Sequence, residues 1–268
     1  GRALVRLGHR VHVVTRPLGT ERAPVTEFEG MTIHRPETPR LKWLADLRLA
    51  DWLQRFQQRE PLDLWHVHGL RPLPATRGTS LPVVFTNHTS GFLQRMQRGR
   101  FARRRVAAML SGLQLVFAPS EELAEATLAL ELNLPVRYIP NGVDPTRFTA
   151  DGDSARARLG IGEDETVVLL ARRLVVKNGV CVFAESVARF LQPGVRVVFA
   201  GDGPERSQVL EILQRTGAAD AALFLGNVLN AEMPAIYRAA DISVLPSFLE
   251  ATSITGLESM ATGLPLVG

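Results

Sequence analysis

The chain has 268 residues, 46% hydrophobic and 22% charged, with a net charge of +4 and a pI near 9.9. This length suits one large or two ordinary domains, and the composition excludes a disordered or fibrous chain. No apolar run reaches the roughly 18–20 residues of a membrane span, no signal-peptide pattern opens the sequence, and the single cysteine, Cys181, excludes an internal disulfide framework and fits a reducing, cytoplasmic setting.

The opening stretch, GRALVRLGHRVHVVT, reads as the end of a helix, a Gly-His turn and an apolar strand. Strands are expected at MTIHR, LDLWHVH, LPVVFTNH, LQLVFAPS and VRYIPNG. Helices lie between several of them, and SEELAEATLALE carries a Ser120 cap and an acidic first turn. Near-continuous apolar strands separated by helices predict a parallel sheet covered on both faces. Residues 145–165 are rich in Gly, Asp and Pro and read as a linker. A second alternation follows: strands at ETVVLLA, VRVVFAGDG, AALFLGNV, ISVLPS and LPLV, with helices at GVCVFAESVARFL and PERSQVLEILQRTG. The expected architecture is two consecutive α/β domains, residues 1–150 and 151–268, each with a parallel sheet.

Chemistry-bearing residues gather just after the second-half strands, where ligands of open α/β sheets bind. Glu250 is placed in the loop after ISVLPS, and Glu258 in the helix that follows. The amides of Ala251, Thr252, Ser253 and Ile254 would open that helix, an end that favours anions. Ionised carboxylates accept hydrogen bonds from sugar hydroxyls, although this spacing alone also suits two unrelated surface glutamates. Arg172 and Lys177 pair a rigid fork with a point charge, a combination suited to a diphosphate, or form a basic turn at a sheet edge. Gly201 and Gly203 in AGDGPE would let a backbone approach a ligand or make a tight turn. They do not form a dinucleotide fingerprint.

His66 and His68 share one face of a strand, but no third metal ligand lies near in sequence, which favours packing over zinc. His88 ends the next strand and is expected to point into a cleft. The segment FLQRMQRGRFARRRVAAML carries Arg95, Arg98, Arg100, Arg103, Arg104 and Arg105, either as a solvated helix flank or as a helix drawn to anionic lipid. Nucleic acid is disfavoured by an aromatic content of 6% and by the lack of a reader motif.

Taken in order, LGHRVHVVT, DLWHVHG, VVFTNH, VFAPSEEL, YIPNGVDPTRF, ARRLVVKNG, VVFAGDGPE, FLGNV, MPAIYRAADISVLPS, EATSITGLE and SMATGLPLVG resemble the family 4 glycosyltransferases, essentially end to end. The resemblance implies the GT-B fold, with two Rossmann-like domains facing a cleft. It implies transfer of a hexose from a nucleotide-sugar such as GDP-mannose or UDP-glucose to an acceptor hydroxyl, with retained anomeric configuration, no metal and no cofactor. It places the donor diphosphate at Arg172 and Lys177, the transferred sugar at Glu250 and the ribose at Glu258. The base would lie near Asn227 and Val228, and His88 would approach the sugar from the N-terminal domain. Other readings on the same plan are a nucleotide-sugar-binding protein without catalysis and a nucleotide-sugar epimerase.

Relative to that family pattern the sequence lacks the first strand with its glycine-rich loop, and the C-terminal part. Both domains are therefore expected to be incomplete, with two unpaired ladders in the first that a second copy could complete. The acceptor is left open as lipid-linked or saccharide, with peripheral contact to the inner membrane face.

Overall fold

The computed structural model describes residues 1–17, 22–39, 41–88, 90–248, 250 and 252–268. The chain divides into two compact units, Gly1–Ile139 and Pro140–Gly268.

The first unit contains α1 (Arg2–Arg6), β1 (Val11–Val14), β2 (Val25–Phe28), β3 (Met31–His34), α2 (Lys42–Arg59), β4 (Trp65–His68), β5 (Val83–Thr86), α3 (Ser90–Gln97), α4 (Arg100–Leu110), β6 (Leu115–Ala118), α5 (Glu121–Leu128) and β7 (Val136–Tyr138). A 3₁₀ turn at Leu73–Thr76 connects β4 to β5. The single parallel sheet expected here is instead two sheets. One has the order β1-β3-β2 and the other the order β4-β5-β6-β7. β4 to β7 are all parallel, whereas β2 runs antiparallel to β3. The cause is local: Glu29 and Gly30, with φ of 52° and 77°, form a two-residue turn whose positive φ values suit a hairpin. Phe85 of β5, Val116 of β6, Phe92 of α3, Leu110 of α4 and Leu123 of α5 are fully buried. The Ser120 cap forms as expected, its hydroxyl accepting from the Leu123 amide at 3.3 Å.

The second unit contains α6 (Arg156–Leu159), β8 (Thr166–Leu170), α7 (Val180–Phe190), β9 (Val195–Ala200), α8 (Arg206–Arg215), β10 (Ala222–Gly226), α9 (Met233–Arg238), β11 (Ile242–Val244), α10 (Ile254–Ala261) and β12 (Leu266–Val267). Its parallel sheet has the order β10-β9-β8-β11-β12. Alternate residues of each strand supply opposite faces. Leu170, Val197 and Phe199 pack with Phe183 and Leu213 under α7 and α8. Leu169 and Val198 pack with Phe148, Ile236 and Tyr237 under α9.

The two compact units meet at 139/140, so residues 145–165 pack with the second unit and are not a free linker. Phe148, Ala155 and Ile161 are buried in the second unit's core, and the Arg147 guanidinium donates to the Asn230 carbonyl at 3.1 Å. Glycine and aspartate mark turns here, and the interspersed apolar residues seal those turns onto the sheet.

Candidate functional site

The strand order creates a topological switch. From β8 the chain steps to β9 and β10 on one side, then returns to β11 on the other. The ends of β8 and β11 therefore splay apart, which is where an open α/β sheet receives ligands. A cavity of about 740 Å³ opens there.

Arg172 follows β8. Its Nη2 pairs with Glu250 Oε2 and lies 3.4 Å from Asn178 Oδ1. Asn178 is buried and anchored by its amide, which donates to the Arg173 carbonyl at 2.7 Å. The Arg172 side chain is 11% exposed and lines the cavity. Its Nη1 is buried and has no hydrogen-bond partner among the described residues. Buried donors are nearly always paired, so this guanidinium fork is one acceptor short.

Gly201 and Gly203 line the same cavity, but their need for glycine comes from the protein itself. A Cβ on Gly201 (φ +151°) would overlap the Arg172 carbonyl oxygen, and one on Gly203 would overlap the Leu174 carbonyl oxygen. The two strand-end turns interlock through Leu174 N to Asp202 O at 3.0 Å and Glu205 N to Leu174 O at 3.1 Å. These glycines hold the Arg172 backbone in place.

α10 begins at Ile254, with Ser253 as its cap accepting from the Gly256 amide at 3.1 Å. Glu258 is one turn in, 6% exposed, and still lines the cavity. Tyr237, fully buried on α9, donates its hydroxyl to Glu258 Oε2 at 2.9 Å. Burial raises the Glu258 carboxyl above its ordinary value, while the Tyr237 hydroxyl, the Arg147 charge and the Asn230 amide work against that rise. The phenol is itself pushed up, chiefly by burial and then by Glu258. Tyr237→Phe should therefore raise the Glu258 pKa further and cost roughly 1–3 kcal/mol of second-unit stability. Carboxyl titration followed by NMR, together with urea unfolding, checks both. An unmoved Glu258 titration would show that the phenol does not hold the carboxylate.

Arg172, Gly201, Gly203, Asn227, Val228, Ile254 and Glu258 thus surround one cavity, with Glu250 joined to it through Arg172. Thr252 and Ser253 stand just ahead of α10, and Thr255, inside its first turn, also lines the cavity. Ala251 lies outside the described residues. Lys177 is exposed on the 3₁₀ turn Val176–Asn178 and is not among the residues lining the cavity. Its carbonyl accepts from the Phe248 amide at 3.1 Å, which ties that turn to the loop carrying Glu250. Sequence reasoning missed Asn178, Asn230 and Tyr237. Tyr237 sits in an amphipathic helix, where an aromatic residue reads as core, and only its hydroxyl's partner reveals otherwise.

His88 belongs to the first unit, just after β5. Its Nε2 lies 2.9 Å from His68 Nδ1, and His66 Nε2 lies 2.6 Å from Thr86 Oγ1. His66 and His68 lie on the outer face of β4, their rings partly desolvated against each other and against His88, while Val67 takes the buried face. No three His, Cys, Asp or Glu among the described residues form a metal-binding group. Burial, then His66 and His88, lowers His68 to about 4. Burial also lowers His66, His88 and His34. Each folded value lies below the ordinary 6.5, so the folded state favours neutral imidazole. The associated stability is present above pH 6.5, is lost as pH falls below it, and levels off near pH 4. Thermal melting of the first unit should fall across that window, and His68→Gln should flatten the fall. Melting that is flat with pH would show that these imidazoles do not control the unit.

The profile of Glycosyltransferase Family 4 matches residues 1–147, and that of Glycosyl transferases group 1 matches residues 151–268. The D-inositol 3-phosphate glycosyltransferase of Geodermatophilus obscurus is 30% identical, covering 99% of this chain and 67% of that protein. The alpha-monoglucosyldiacylglycerol synthase of Acholeplasma laidlawii is 25% identical, covering 98% of this chain and 73% of that protein. Among solved structures, sucrose-phosphate synthase from Thermosynechococcus elongatus superposes with a TM-score of 0.84 at 22% identity, covering 100% of this chain and 74% of that one. Matched end to end by family, relatives and fold, the chain belongs to glycosyltransferase family 4 and has the GT-B fold.

Proposed function

We propose that this chain is a retaining, metal-independent hexosyltransferase that takes its sugar from a nucleotide-sugar such as GDP-mannose or UDP-glucose. The observation that carries the reading is the buried, unpartnered Arg172 Nη1 in the switch-point cavity, beside the Arg172–Glu250 pair. A diphosphate oxygen is the acceptor this fork lacks.

In this reading Arg172 and Lys177 hold the diphosphate, and Gly201 and Gly203 shape its bed. Glu250 accepts from the transferred sugar and Glu258 from the ribose. Thr252, Ser253 and Ile254 offer backbone donors at the start of α10. Asn227 and Val228 border the base, and His88 is assigned to the transferred sugar. The difficult step is departure of the nucleoside diphosphate as the sugar gains oxocarbenium character. The Arg172 fork and the Lys177 ammonium stabilise the charge growing on the leaving group, a role that otherwise falls to a metal. The departing phosphate takes the proton of the acceptor hydroxyl on the same face, which retains configuration. Glu250 positions the sugar and forms no covalent bond to it. The names of the curated relatives point to a lipid or polyol hydroxyl as acceptor.

Calorimetric titration of a donor panel in EDTA, with product anomers read by NMR, tests this reading. One donor should bind and turn over, and Glu250→Gln should abolish turnover. A strict divalent requirement, an inverted product or a donor epimerised without acceptor would each overturn it.

A further inference from the structure

Arg147 lies outside the roles assigned above, yet it reaches the cavity through a neighbour. It belongs to the turn at residues 144–148, which closes on its own backbone. Asp144 Oδ1 accepts from the Thr146 amide at 3.0 Å, and the Asp144 carbonyl accepts from the amides of Arg147 and Phe148 at 3.1 and 3.0 Å. Phe148, 3% exposed, pins the turn to the core by meeting the Tyr237 ring edge-on, with centroids 5.9 Å apart. The Arg147 guanidinium lies 5.4 Å from the Phe148 ring centre. From there its Nη2 donates to both oxygens of Asn230, the carbonyl at 3.1 Å and Oδ1 at 3.0 Å.

That contact fixes which way the Asn230 amide faces. A guanidinium only donates, so Asn230 must turn its side-chain oxygen toward Arg147 and leave its NH2 for another acceptor. The acceptor is Glu258. Asn230 and Glu258 line the same cavity. Glu258 therefore has two donors, the Asn230 amide and the Tyr237 hydroxyl. The single turn at 144–148 braces both, one through Arg147 and the other through Phe148. Burial works against the ionised carboxyl, and the two hydrogen bonds and the Arg147 charge work for it. The Arg172 charge, from the end of β8, acts on the Tyr237 phenol. An ionised carboxylate has roughly four lone-pair sites. With two of them taken, it can still accept from two further hydroxyls in the cavity it lines.

We propose that Arg147 and Asn230 are positioning residues for Glu258. Arg147 orients the Asn230 amide, the amide holds the Glu258 carboxylate as an acceptor in the cavity, and the carboxylate so held selects a ligand with two adjacent hydroxyls. That this diol is the ribose of a nucleotide rests on the functional reading above.

Titration of Glu258 by carboxyl NMR in the ligand-free chain tests the first two links. Arg147→Met keeps an apolar stem over Phe148 but no longer orients the amide. Asn230→Asp keeps an acceptor for Arg147 while removing the donor to Glu258. Both should raise the Glu258 pKa, and Arg147→Lys, still a donor-only cation, should leave it close to wild type. Calorimetry with UDP, GDP and ADP, each beside its deoxyribose counterpart, tests the last link. The preference for the ribose form should shrink by about tenfold in Arg147→Met and in Asn230→Asp, the scale of one hydrogen bond to a charged group, with deoxyribose affinity little changed. Acceptance by the carboxylate is lost as pH falls through its folded pKa, so both variants should lose that preference at a higher pH than wild type. Equal loss of ribose and deoxyribose affinity would show a structural role alone and overturn the inference. A Glu258 titration unmoved in both variants would do the same. A wild type that binds none of these nucleotides would overturn the functional reading and the ribose assignment with it, leaving the titration to decide the Arg147–Asn230 link.

Discussion

Arg172→Ala is expected to weaken nucleotide-sugar binding by roughly 100-fold, the scale on which loss of a buried charged donor is felt. The size follows from where the guanidinium sits. One arm is committed to Glu250 and Asn178, and the other is buried with no acceptor among the described residues. Bound diphosphate would satisfy the second arm, so the substitution removes a contact for which desolvation is already complete. Arg172→Lys should recover little, since an ammonium cannot serve Glu250 and a phosphate in the same fork geometry. The two partners should differ in stability. Removing Arg172 leaves Glu250, 29% exposed, able to hydrate, whereas removing Glu250 strands a guanidinium that is 11% exposed. Glu250→Ala should therefore destabilise the second unit more than Arg172→Ala does. Calorimetry with the turnover donor and urea unfolding of both variants read these effects. Wild-type affinity in Arg172→Ala would remove the diphosphate from this site.

Gly201→Ala is expected to destabilise the second unit by about 2–4 kcal/mol, the range of overpacked, strained sites. The added methyl would meet the Arg172 carbonyl, which is backbone and cannot rotate away. Relief requires β9 and the end of β8 to separate, and that movement displaces Arg172. Donor affinity should thus fall together with stability. Gly217 provides the comparison: its φ of +73° is also positive, but nothing lies within 4 Å of an added Cβ. Gly217→Ala should cost only about 1 kcal/mol, the conformational share alone, and leave donor binding intact. Equal losses at the two positions would show that backbone strain, and not the close approach of two turns, governs Gly201.

The first unit's hairpin shows where sequence patterning falls short. Val25–Phe28 is a short, mostly exposed edge strand with one partner, so it has little apolar alternation to read. Its turn, Glu29-Gly30, places a non-glycine residue at positive φ, which residue type alone does not announce. The packing of residues 145–165 was hidden for a related reason, since turn-rich composition looks the same in a tether and in a segment sealed by Phe148 and Ile161.

By itself the sequence determined the α/β class, the strands β1 and β3 to β12, the Ser120 cap and the placement of Glu250 in a loop and Glu258 in a helix. Those features are set within a few residues, by apolar runs, hydroxyl caps and glycine turns. The order of its motifs also determined the family. Only the tertiary structure decided that Gly201 is there for the Arg172 carbonyl, that Tyr237 supports Glu258, and that Arg172 keeps one buried arm open while Lys177 stays at the surface. Each of those depends on strands and helices far apart in the chain meeting at one switch point, and the spacing of residues along the chain carries no record of that meeting.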